Sequence, residues 1–192
     1  KITFFISIVG SGIAMYFLSR QFFTKFVSFC LALIYLFTPY RAVDLYVRGA
    51  VGEMYGFLLM PLVLLSFVLL IKNTHKKYLA FAVVTLFFLI ISHNLTLIIF
   101  FPVLLFLSLS LLLSLHSSKT ERLKSFFRLV TAIAISLFFS AFYLIPVIFE
   151  KKYLQAGTPF NPIDHFPFLK QLILPYWGYG ASVWGPTDEL SF

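Results

Sequence analysis

Six apolar runs, each close to the length of a bilayer crossing, leave this chain little choice of fold. They occupy residues 2–18, 22–39, 55–71, 78–92, 95–115 and 129–149. A helix of roughly 20 apolar residues crosses about 30 Å of hydrocarbon, and fewer suffice where flanking Lys or Arg side chains reach back to the headgroups. Mean hydropathy is +0.96, with 60% hydrophobic and 11% charged residues. A soluble core with a polar surface does not have that composition. The expected fold is therefore all-α, a polytopic transmembrane helix bundle of about six spans. Runs four and five could be read as one long helix broken at His93-Asn94, but their joint length fits two spans better.

The net charge of +8 would point to nucleic acid in a soluble protein. Here the basic residues sit in short clusters between apolar runs, so topology explains them and no nucleic-acid partner is expected. Arg20 and Lys25, then Lys72, Lys76 and Lys77, then Lys119, Arg122, Lys124 and Arg128 fall in alternate connections, nine of the fifteen Lys and Arg. By the positive-inside rule these connections are cytoplasmic. Residues 40–54, 93–94 and 150–192 then face the other side. Six of the seven carboxylates lie there, Asp44, Glu53, Glu150, Asp164, Asp188 and Glu189, against Glu121 inside. Acidic residues contribute little to orientation, so this bias needs another cause.

The 26 Phe and 10 Tyr suit lipid-facing and interfacial positions. Cys30 is the single cysteine, which excludes an internal disulfide and a thiolate metal site. Pro61, Pro102 and Pro146 fall inside runs, where they can kink helices. No phosphate-cradling glycine loop, HExxH, cysteine cluster or serine elbow occurs. The chain opens on Lys1 and stops in mid-pattern at Leu190-Ser191-Phe192, so it is expected to be an internal piece of a longer protein. Residues 1–149 form the membrane module, and 150–192 a partly interfacial external tail leading to a further part.

Four constellations on the outer side could carry chemistry. In Tyr40-Arg41-Ala-Val-Asp44-Leu-Tyr46-Val-Arg48-Gly49-Ala50-Val-Gly52-Glu53, a helix would put Arg41, Asp44 and Arg48 on one face. Asp44 would then be ionised between two guanidiniums. Guanidinium forks suit phosphate, and an ionised carboxylate suits a divalent metal or a hydroxyl proton. The plainer reading is an ion-pair network that pins a re-entrant segment. Ser92-His93-Asn94 could position a substrate, with His93 near Asp44 or Glu53, or could simply cap a turn. Lys151 and Lys152, against the positive-inside trend, could hold an anionic headgroup or could snorkel. In the tail, Trp177 and Tyr179 between glycines could stack on a sugar ring or form an interfacial belt.

The stretch Pro39-Tyr-Arg-Ala-Val-Asp-Leu-Tyr-Val-Arg-Gly-Ala-Val-Gly-Glu53, with Met15-Tyr16, Ser92-His-Asn-Leu-Thr96 and Trp177-Gly-Tyr-Gly180, resembles the bacterial membrane proteins called 6-pyruvoyl-tetrahydropterin synthase-related. It is similar to the YfhO-like branch of the GT-C glycosyltransferases. The pterin name is not to be taken literally, because that soluble enzyme needs clustered histidines on zinc. In this chain His75 and His116 fall in the basic connections, and His93 and His165 fall outside.

The GT-C resemblance implies a GT-C-like fold that moves a sugar from a polyprenyl-phosphate donor to a cell-envelope acceptor at the non-cytoplasmic face, often with a divalent cation (Mg or Mn). It implies a bacterial cytoplasmic membrane and membrane lipids as partners. Asp44, Glu53 and His93 would be the catalytic set, with Asp44 orienting the acceptor hydroxyl or binding the metal. Arg41, Arg48, Asn94, Lys151, Lys152, Trp177 and Tyr179 would bind substrate. The resemblance places the principal catalytic carboxylate upstream of Lys1. The competing expectation is a non-enzymatic carrier or scaffold for envelope lipids.

Overall fold

The computed structural model describes residues 1–150, apart from the side chains of Val43 and Val47. Those residues are helical almost throughout, with no strand among them. The elements are α1 (Ile2–Ser19), α2 (Lys25–Leu36), α3 (Pro39–Ala42), a π-helical segment (Val43–Arg48), α4 (Val51–Lys72), α5 (Lys76–Ser92), α6 (Asn94–Leu115), α7 (Lys119–Phe139) and α8 (Ala141–Phe149). A first compact unit runs from Lys1 to Ile145, and a second begins at Pro146.

Three helices, α1, α4 and α6, are each long and apolar enough to cross a membrane, and up to five crossings result if two bent helix pairs each count as one span. α5, at 17 residues, is about 25 Å long. The expected sixth run departs most from the structure. Its helix does not begin at 129 but at Lys119, and it breaks at Ser140 before α8. Lys, Glu and Arg are good helix formers, so a charged segment winds as readily as an apolar one. The charged half, residues 119–128, therefore extends the helix beyond its apolar half.

α4 is the central helix. Of its apolar window 61% is buried, against 28% for α1 and 22% for α6. Val63, Phe67, Leu70 and Ile71 of α4 meet Ala82, Leu86, Leu89 and Ile90 of α5 and Leu104 of α6 in one core. Small polar side chains tie the helices where apolar contact alone gives no preference over lipid. Ser7 of α1 donates to the Met54 carbonyl at 2.6 Å, Ser66 of α4 pairs with Thr85 of α5 at 3.0 Å, and Ser136 of α7 reaches the Val83 carbonyl at 3.1 Å. Phe5, Phe26, Phe106 and Phe138 project outward, as side chains solvated by lipid do.

The basic connections gather at one end of the bundle. Lys72 Nζ donates to the Gln21 carbonyl at 3.1 Å, and Arg128 donates to the Asn73 carbonyl. At the opposite end the start of α4 packs on the α5–α6 turn, where a Cβ on Gly52 would lie 2.6 Å from the Ser92 carbonyl oxygen. The 37–50 connection lies at this second end.

Candidate functional site

Pro39 follows the end of α2, and the chain re-enters helix through α3 and then widens into the π-helical segment. Gly49 stops it in the left-handed region at φ 58°, a conformation that costs a glycine little. The Ala50 N–H then donates to the Asp44 carbonyl at 3.0 Å. A π turn spans five residues rather than four and is uncommon outside functional sites. Here it stacks Arg48 over Asp44 and leads directly into the first turn of α4, which carries Glu53.

One guanidinium nitrogen is the hub of the resulting cluster. Arg48 Nη1 shares its two N–H groups among Asp44 Oδ1 at 2.9 Å, Glu53 Oε2 at 2.8 Å and Tyr40 Oη at 2.6 Å. The Tyr40 hydroxyl in turn donates to Glu53 Oε1 at 2.8 Å. Asp44 is fully buried, and among the described residues its Oδ2 has no hydrogen-bond partner. Glu53 is partly open, and Arg48 has 47% of its side chain exposed. The two carboxylates thus differ in access, with Asp44 behind Arg48 and Glu53 in front.

Arg41 goes elsewhere. The sequence suggests an Arg41–Asp44–Arg48 stripe, but among the described residues only Arg48 is paired with Asp44. Arg41 is 4% exposed and donates from Nη1 to Ser11 Oγ of α1 at 2.6 Å. Its guanidinium carbon sits 5.0 Å from the Tyr35 ring centroid and 4.8 Å from that of Phe57. The change from α to π winding after Ala42 shifts the register on which the stripe depends, and the two aromatic faces offer a cation a better-shaped place. Arg41 Nε and Nη2 are buried without partners. With Arg41 included, two cations balance two carboxylates.

His93 borders the cluster without joining it. Its Nδ1 lies 2.8 Å from Thr96 Oγ1 and accepts from the Thr96 N–H at 3.3 Å, so the ring caps α6. Ser92 and His93 nevertheless pack against Gly52, one residue from Glu53. Asn94 Oδ1 accepts from the Tyr143 hydroxyl at 2.9 Å. Lys151, Lys152, Trp177 and Tyr179 lie outside the described residues. Tyr40, Tyr35, Phe57 and Ser11 belong to the site and were not singled out by sequence. Tyr40 opens the Tyr-Arg-x-x-Asp motif and could have been found there, whereas Tyr35, Phe57 and Ser11 reach the site by tertiary packing alone.

Below Glu53 a groove of about 290 Å³ runs between α4 and α6, lined by Glu53, Phe57, Met60, Thr96, Ile99, Phe100 and Val103. Its walls are apolar except at the head, where Glu53 and Thr96 stand. The two carboxylates of the cluster face each other across Arg48. Among the described residues no three His, Cys, Asp or Glu side chains come together. His75 and His93 cap opposite ends of α5, about 25 Å apart, so these two histidines share no site.

Comparison with curated proteins and with solved structures finds no match. The family model of the 6-pyruvoyl-tetrahydropterin synthase related domain, described as a membrane protein, matches residues 1–162. With its apolar helices and its match over most of its length, the chain belongs to this family of membrane proteins.

Proposed function

We propose that this chain is part of a membrane glycosyltransferase of the GT-C kind, moving a sugar from a polyprenyl-phosphate donor to a cell-envelope acceptor at the non-cytoplasmic face. The observation that carries this reading is the Tyr40–Arg48–Glu53–Asp44 cluster at the head of an apolar groove. A lipid phosphate needs those two surroundings together, a cation for its headgroup and an apolar wall for its chain.

In the transfer, the acceptor oxygen forms a bond to the anomeric carbon as the bond to the phosphate oxygen breaks. The phosphate leaves with the electron pair, and the acceptor's proton passes to a carboxylate. Glu53, at the head of the groove, is the proton acceptor in this scheme. Arg48, more exposed than either carboxylate, steadies the departing phosphate. Asp44 acts through Arg48 as a positioning residue, and Arg41 fixes the segment against α1. His93 is a supporting donor through its second ring nitrogen.

The competing reading, a carrier for envelope lipids, gains weight from one fact. Both carboxylates are engaged by Arg48, which suits binding as well as bond breaking. Sugar transfer by the full-length protein from a polyprenyl-phosphate sugar separates the two. The expectation is a loss on the order of 100-fold in Glu53→Gln, typical of removing a general base, and a smaller loss in Asp44→Asn. Wild-type turnover in Glu53→Gln would remove the catalytic assignment. Retention of donor lipid by a protein that transfers nothing would establish the carrier.

A further inference from the structure

The end of the bundle opposite this cluster holds a second cavity, of about 420 Å³, between the last turn of α6 and the first turns of α7. It is lined by Leu112, Ser117, Lys119, Arg122, Leu123 and Phe126. We propose that it binds the phosphate headgroup of an anionic membrane phospholipid, with Lys119 and Arg122 on the phosphate and Leu112, Leu123 and Phe126 along the start of the acyl chains.

Three observations bear on this. First, among the described residues no carboxylate pairs with Lys119 or Arg122. Glu121 is the single acid in the basic connections, and it pairs with Lys124 at 3.1 Å. Arg122 spends one nitrogen on the His116 carbonyl, Nη2 at 3.0 Å, and its Nε is buried without a partner.

Second, the two cations stand at the unfavourable end of a helix. Lys119 is the first residue of α7 and Arg122 lies in its first turn, where the helix dipole is already positive and the Ser118 side chain supplies no cap. Cations there are costly unless an anion joins them.

Third, the depth is right for a headgroup. Leu112, in the last turn of the membrane-length helix α6, lines the same cavity as Lys119 and Arg122, so the cations stand beside the end of an apolar helix, where headgroups lie. Leu123 and Phe126 beside them are 54% and 40% exposed, next to charges. Apolar exposure and unpaired cations in one cavity match an amphiphile, whereas a free inorganic anion would use only the cations.

The test uses the purified full chain in native mass spectrometry, with phosphatidylglycerol and phosphatidylcholine as probes and inorganic phosphate as competitor. Wild type should retain phosphatidylglycerol in preference to phosphatidylcholine, and equimolar inorganic phosphate should not displace it. Lys119→Gln with Arg122→Gln should weaken retention about 30-fold, near fivefold for each basic residue at an anionic surface. Lys119→Arg should hold it. Lys76→Gln with Lys77→Gln removes the same charge from the same end and should change it little. Equal losses in the two double variants would reduce the effect to diffuse attraction and overturn the site. So would equal retention of both lipids by wild type, an arm that needs no variant to fold, or displacement by inorganic phosphate.

Discussion

Arg41 shows how far a charged side chain can be carried from its sequence neighbours. It sits between two aromatic rings and one hydroxyl, all from other helices, and nothing in the order of residues around it announces that. Truncating it removes a charge-assisted hydrogen bond and two desolvated cation–π contacts, together about 3 kcal/mol. Arg41→Ala should therefore lower the thermal unfolding midpoint in detergent clearly. Arg41→Lys should recover little of it, because an ammonium lacks the planar face that fits between the rings. An unchanged midpoint in Arg41→Ala would mean that the aromatic sandwich holds the segment without its filling. Asp44 and Glu53 were legible as site candidates because carboxylates are rare in so apolar a chain. Their unequal access was not, since it depends on which one the π turn tucks behind Arg48.

Among the elements, the start of α4 and the α5–α6 turn form the tightest joint. Gly52 allows it, because any Cβ there would meet a backbone oxygen that cannot swing aside. Gly52→Ala should cost about 1–3 kcal/mol by overpacking. Gly49→Ala, where the added carbon meets nothing but the φ of 58° is unfavourable, should cost about 1–2 kcal/mol. Thermal unfolding of the two variants, with sugar transfer or donor-lipid retention measured alongside, tells them apart. Gly52→Ala should disturb the site as well, because it pushes the His93 turn away from Glu53. The apolar lengths of the helices were readable because lipid selects them directly. The early start of α7 was not, because charged residues wind into helix outside the hydrocarbon as well as apolar ones do within it, and hydropathy is blind to that half.

At the scale of the whole molecule, the two ends of the bundle differ in charge and in chemistry. One collects Lys and Arg, and the other holds the carboxylates of the cluster. This polarity was visible in the alternation of the loops, and the contacts of Lys72 with Gln21 and of Arg128 with Asn73 bring three of those loops together. In a Cys30→Ala background, Asn73→Cys and Ser117→Cys should react with a membrane-impermeant thiol reagent from one side of sealed vesicles, and Gly49→Cys from the other. Labelling of all three from one side would break the topology on which the proposed donor side rests.

The balance of charge in the cluster bears on the membrane potential. Arg48 against Asp44 and Glu53 leaves the cluster at −1, and Arg41, held apart between Tyr35 and Phe57, brings the four to zero, so moving the four as one body through a uniform field does no net work. A phosphate that joins them adds uncompensated negative charge, worth about 2.3 kcal/mol per charge for each 100 mV it traverses. A shift of the four as one body is therefore insensitive to voltage, whereas a bound phosphate would add a charge on which the potential acts.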